Sequence, residues 1–187
     1  MTTPAPPSIS VTLAIDPPSF APGAAVELSI TAVSNATIPI TIFTWPNIFN
    51  LRLAQKRANF KCVDLSTGEP LSMELTKGPK RPGFSHERGG IDDEYHITLE
   101  PGQLLKISES FALAKRPAGG RHSPTPGHQY AFDVRHGEQV DWWREGRRED
   151  VLLAPGQSER SLHETGGEPI VLEIASPVEF TVLAPEI

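Results

Sequence analysis

Disulfide cross-linking within the chain is excluded at once, because its 187 residues include one cysteine, Cys62. A lone cysteine suits a reducing compartment. No run approaches the roughly 18 consecutive apolar residues that a membrane helix needs. The opening MTTPAPPSIS has neither the basic region nor the apolar stretch of a secretory leader. The expectation is a cytoplasmic protein without a membrane partner. Positive charge is scarce as well, with 17 Lys and Arg against 23 Asp and Glu, a net charge of -6. Nucleic-acid binders carry a basic footprint, so nucleic acid is not an expected partner. Catalytic signatures are missing too: the chain has no HExxH, no P-loop, no GxSxG, and no GxGxxG between a strand and a helix. Neither a cofactor nor a bound metal is expected.

Proline and glycine are plentiful, at 19 and 15 residues, which suits many turns between short elements and disfavours long helices. Period-2 alternation dominates. Ile9, Val11, Leu13 and Ile15 alternate with Ser10, Thr12 and Ala14, as do Val26, Leu28, Ile30 and Ala32 with Glu27, Ser29 and Thr31. Each pattern reads as a half-buried strand. Further strands are predicted around Ile38–Ile42, Phe60–Leu65, Leu71–Leu75, Tyr95–Leu99, Leu105–Leu113, Tyr130–Val134, Ile170–Ile174 and Val178–Val182, with Phe43 and Trp45 on the opposite face of the third. Short strands separated by turn signals predict an all-β chain, and their alternation favours a single antiparallel two-sheet sandwich. Residues 1–7, with three prolines, read as a flexible tail, and residues 8–187 as one domain. At this size about 70% of the unfolded surface is buried on folding, enough for one core without staples.

Three stretches break the rhythm: 77–94, 115–128 and 154–169. Each is predicted to be a long loop, and such loops are either functional or mobile. The first holds His86, Asp92, Asp93, Glu94 and, just beyond it, His96. Metal sites need several convergent ligands; this spacing matches no metal motif, and the predicted state is a solvated loop. Glu94 and His96 would share a face if a strand began there. Cys62, amid Phe60, Val63 and Leu65, reads as a small core residue rather than a nucleophile. Trp142 and Trp143 open WWREGRREDV, where Arg144 follows directly. Aromatic residues with arginine are the composition of binding hot spots. If the pair is extended, one indole points inward and the other lies at a cleft rim. Trp45 leads into residues 50–61, which hold four basic residues and no acidic one, a run able to meet an acidic partner.

The segment Pro126-Gly127-His128-Gln129-Tyr130-Ala131-Phe132 resembles the tyrosine corner of immunoglobulin-like sandwiches, in which a tyrosine bonds back to upstream backbone. The order of features also resembles intracellular proteinase inhibitor domains of the BsuPI type. Those features are the asparagine turn in VSNATIPITI, the D-x-x-T-G hairpin at Asp64–Gly68, the L-x-P-G turn at Leu99–Gly102, and a P-G-x-Y strand, here with two residues between Gly127 and Tyr130. A similar layout occurs in the β-sandwich pro-region of deuterolysin-type fungal proteases. The resemblance spans about residues 24–135 and implies an Ig-like sandwich with long loop insertions, and an inhibitor-like role. Two functional readings follow. One is a non-catalytic module binding another protein or a small molecule. The other is a small enzyme with a pocket at the loop end. The candidate binding residues are Trp45, His86, Asp92, Trp142, Trp143 and Arg144.

Overall fold

The computed structural model describes residues 6–71, 84–111, 113, 124–157 and 166–184. The chain is all-β, as the alternation predicts. Thirteen strands are found among the described residues, with two four-residue helices, α1 (Leu51–Ala54) and α2 (Arg148–Val151).

One sheet has five strands. β1 (Ile9–Asp16) and β3 (Glu27–Ser34) form its centre, with β8 (Leu104–Ser110) beyond β3. On the other side lie β12 (Ile170–Ile174) and then β10 (Gln139–Val140). The β1–β3 register runs from Ile9 opposite Ser34 to Asp16 opposite Glu27. Pairing residues this way puts Ile9, Val11, Leu13 and Ile15 on the face with Leu28, Ile30 and Ala32, and all seven are buried.

The second five-stranded sheet has the order β2 (Ser19–Phe20), β13 (Val178–Val182), β9 (Gln129–Val134), β5 (Phe60–Asp64), β6 (Pro70–Leu71). Its Phe60, Phe132 and Phe180 join the aliphatic residues of the first sheet in one core. Phe60 stacks on Phe132 at 4.8 Å, and Phe111, at the end of β8, meets Phe132 and Phe180 edge-on. Each such ring or branched side chain contributes about 2–3 kcal/mol by leaving water.

The arrangement differs from two antiparallel sheets in two particulars. β1 pairs with β12, and β13 with β2, in parallel. A third sheet is also present: β11 (Trp143–Glu145), β4 (Ile40–Phe43) and β7 (His96–Leu99). β2, β10 and β11 have two or three residues each, too few for any alternation to be read. The hairpin around Asp64 forms as predicted. Ser66 N–H donates to Asp64 Oδ1 at 2.8 Å and Gly68 N–H to the Asp64 carbonyl at 2.7 Å. The predicted tail, Leu71–Leu75 strand and three long loops fall partly outside the described residues.

Candidate functional site

The third sheet positions the site because both its faces are covered. All four residues of β4 are buried, Ile40 and Ile42 toward the core and Thr41 and Phe43 away from it. On the outer side, Thr41 Oγ1 donates to the Gly146 carbonyl at 2.9 Å. The cover over this face is the segment from Phe84 to Tyr95, together with α2. Phe84 packs on Phe43 at 4.4 Å. Leu153 N–H donates to the His86 carbonyl and Arg88 N–H to the Leu153 carbonyl, both at 2.9 Å. Asp93 forms an ion pair with Arg148 of α2 at 2.7 Å and accepts from Gly89 N–H at 2.9 Å. Burial would raise the Asp93 pKa, but these two bonds hold it below the usual carboxylate value. Gly90 must be glycine for this path, since a Cβ there would sit 2.9 Å from the Glu87 carbonyl oxygen.

Beneath this cover lies a histidine relay. His86 Nδ1 and His96 Nε2 are 2.8 Å apart, and His96 Nδ1 is 2.9 Å from the Asp92 carbonyl oxygen. A carbonyl only accepts, so His96 Nδ1 carries a proton. Burial lowers the His96 pKa, against the opposing pull of the Asp92 carbonyl, and favours the neutral ring. Neutral His96 then offers a lone pair at Nε2, and His86 Nδ1–H donates to it. The pair is walled by aromatics. Trp142 stacks on His86 at 4.4 Å and 10° and meets His96 edge-on at 5.3 Å, while Phe43 lies 4.9 Å from His96. Ser85 N–H donates to Asp92 Oδ2 at 2.9 Å, closing the turn.

At the edge of this cluster Trp45 is half-buried. Tyr95 meets it edge-on at 4.7 Å, and the Arg57 guanidinium lies 5.1 Å above its ring while Arg57 Nη1 donates to the Trp45 carbonyl at 3.1 Å. Asn47 fixes the turn beyond it, with Nδ2 donating to the Phe43 carbonyl and Oδ1 accepting from Phe49 N–H. The Tyr95 carbonyl accepts from both N–H and Oγ1 of Thr44, at 2.8 and 2.9 Å.

Four of the six candidate residues therefore belong to one continuous cluster: His86, Asp92 and Trp142 inside it, Trp45 at its margin. Arg144 is half-buried on β11 opposite Thr41, on the same face. Trp143 is elsewhere. Its ring is in the core and its Nε1–H donates to the Glu168 carbonyl at 3.0 Å. The expectation of one indole at a rim is corrected: Trp142 and Trp143 are 8% and 4% exposed. They point to opposite sides, but both sides are covered. The described part of the first long stretch, 84–94, is corrected too. It is a packed layer, with His86 and Asp92 buried. Glu94 and His96 do not share a strand face, because Asp93–Tyr95 form a 3₁₀ turn and the strand begins at His96. Tyr95, Phe43 and Arg57 were not among the candidate binding residues, although the alternation put Phe43 on the opposite face of its strand and Arg57 lies in the basic run 50–61.

Cys62 is buried and its thiol is pushed up to about 12, first by burial and then by the charge of Asp64, so it is a poor nucleophile. Among the described residues no three His, Cys, Asp or Glu side chains converge as metal ligands. No described helix is long and apolar enough to cross a membrane. An open pocket of about 520 Å³ lined by Asp16, Val26, Glu27 and Glu109 contains none of the candidate residues. No protein-family model matches the chain, and no curated protein proves similar to it.

Proposed function

We propose that the chain is a non-catalytic binding module whose contact surface is centred on Trp45, and that its partner is an acidic segment of another protein. The observation that carries this reading is the clamped, half-exposed indole, held between the Tyr95 edge and the Arg57 guanidinium. A rigid aromatic beside arginine supplies contact area with little ordering cost. Arg52 is exposed and Lys56 half-exposed at α1, and residues 50–61 carry no acid although the chain is acidic as a whole. Local charge of that sign favours an acidic partner and speeds its encounter. The single, unpaired cysteine, Cys62, supports a reducing, cytoplasmic setting. The enzyme reading draws less support, because His86, His96 and Asp92 are engaged in bonds to one another and to backbone.

The test is fluorescence anisotropy with a labelled peptide alternating glutamate and phenylalanine. Binding should weaken with added salt, and Trp45→Ala should weaken it about tenfold or more at a temperature where both proteins are folded. Equal binding by wild type and Trp45→Ala, or none by either, overturns the reading.

A further inference from the structure

The outer strands of a sheet leave backbone N–H and C=O groups unpaired, and short ones leave few. Among the described residues, five of the six outer strands are short: β2, β6 and β10 have two residues, β11 three and β7 four. β8 has seven, and no described strand pairs with its far side. Its register tells which groups are open. Phe111 N–H donates to the Val26 carbonyl at 2.8 Å, in line with the pairing of Ser110 with Glu27. Bonded pairs alternate along an antiparallel ladder, so Leu105, Ile107 and Glu109 spend their backbone groups on β3. Leu104, Lys106, Ser108 and Ser110 point theirs outward. The Ser110 carbonyl accepts from Gln55 Nε2 at 3.1 Å, which sets α1 against that end. The stretch from Leu104 to Ser108 stays open, with Leu104 73% exposed and Lys106 and Ser108 exposed as well.

Side chains alternate between the two faces of a strand, so this edge fixes what an added strand must carry. Leu105 and Ile107 are half-buried and pack against the core, and a neighbour on their face meets apolar surface. On the other face Lys106 stands between Leu104 and Ser108, with its Nζ 3.3 Å from Glu27 Oε1. A second copy paired antiparallel over the open stretch would set Lys106 opposite Lys106. Like charges directly opposite destabilise a sheet, whereas an acidic residue opposite Lys106 is favoured. Asp16, Glu27 and Glu109 line the open pocket beside Ser110, so the partner's acid belongs at Lys106 and no nearer that end.

We propose that β8 binds an extended segment of another protein by strand addition, with an acidic residue opposite Lys106 and apolar residues opposite Leu105 and Ile107. Main-chain hydrogen bonds then hold the segment, and the alternating side chains select it. The choice of the same acidic partner rests on the patch reading; the open edge does not. α1 joins the two surfaces. Gln55 holds the Ser110 carbonyl, and Arg57, two residues on, holds the Trp45 carbonyl. A strand laid on this edge therefore ends against α1, where Arg52 is exposed and Lys56 half-exposed.

The experiment uses the full chain and the peptide alternating glutamate and phenylalanine. On binding, the Lys106 and Ser108 amides should gain about tenfold or more in exchange protection, and those of Leu105 and Ile107, already bonded to β3, less. Only every second N–H of an added strand faces β8. Of two peptides N-methylated on the glutamates or on the phenylalanines, one should therefore bind as the parent does and the other about tenfold more weakly. Ser108→Pro removes an outward N–H without breaking the β3 ladder, and should weaken binding about tenfold. If that variant does not fold, the wild-type exchange and the methylated peptides decide. Sedimentation should show a monomer. Weakening by Trp45→Ala alone, with no effect of Ser108→Pro or of methyl position, overturns strand addition and spares the patch; weakening by Ser108→Pro alone does the reverse. No binding at all, or a dimer that Ser108→Pro dissociates, also overturns strand addition.

Discussion

Tyr130 shows how much one side chain can hold. Its ring is 1% exposed and stacks on Phe180 at 5.2 Å, while its hydroxyl oxygen accepts from Thr125 N–H at 2.6 Å. The bond ties the turn at Pro126-Gly127 back to β9, five residues upstream of the ring. Tyr130→Phe keeps the ring and removes the acceptor of the Thr125 N–H, at a residue open to solvent. The expected loss is about 1 kcal/mol, read as a lower urea midpoint at unchanged slope. An unchanged midpoint would mean that water satisfies Thr125 equally well. This contact was legible in the sequence, because a Pro-Gly turn and an alternating aromatic strand are local signals. The fate of Trp142 was not. Alternation says that it points away from Trp143, but what covers it comes from His86 and His96, 56 and 46 residues earlier in the chain.

Among the elements, the covering layer was the hardest to foresee. Glycines and mixed charges in 84–94 look like solvated loop, and most of them are exposed or half-exposed; the burial of His86 and Asp92 among them goes with bonds to α2 and Leu153 that no short window contains. The same holds for the other side of β11. Gly166 donates to the Trp143 carbonyl at 2.6 Å, and a Cβ there would lie 2.7 Å from the Trp143 ring. That ring is wedged in the core, so it has no room to yield. Gly166→Ala is expected to cost about 1–3 kcal/mol, as overpacking does. Urea denaturation checks it, and a neutral result would show that the 166–168 segment moves freely off β11. The long strands β1, β3 and β9 were readable because each carries its own two-faced pattern. The three-residue β11 carries none, and it is the strand that places both tryptophans.

At the scale of the whole molecule, one core joins the two five-stranded sheets, while the 84–95 layer lies over the outer face of a third. The ionisable groups divide along the same line, and this orders the response to acid. His96 is held neutral in the folded state, its pKa depressed by burial. The unfolded chain therefore binds its proton first, and the stability that depends on neutral His96 begins to fall below about pH 6.5. Asp64 and Asp93 behave as depressed carboxylates. For Asp64, burial pushes the pKa up, but bonds from His128 and Ser66 outweigh it. His128 Nδ1 lies 2.7 Å from its Oδ2. Their contribution is complete above about pH 4 and is lost as pH falls through their lower folded values. The melting temperature should therefore decline gently from about pH 6.5 and steeply only below about pH 4. Because His96 lies in the layer rather than the core, the near-ultraviolet signal of Trp142 should change with the first decline and the β-sheet signal with the second. Replacing Asp64 by Asn should flatten part of the lower limb and leave the upper one in place. A calorimetric profile level from about pH 6.5 to 4 would contradict a buried neutral His96. Loss of both optical signals in one step would contradict a layer that opens on its own.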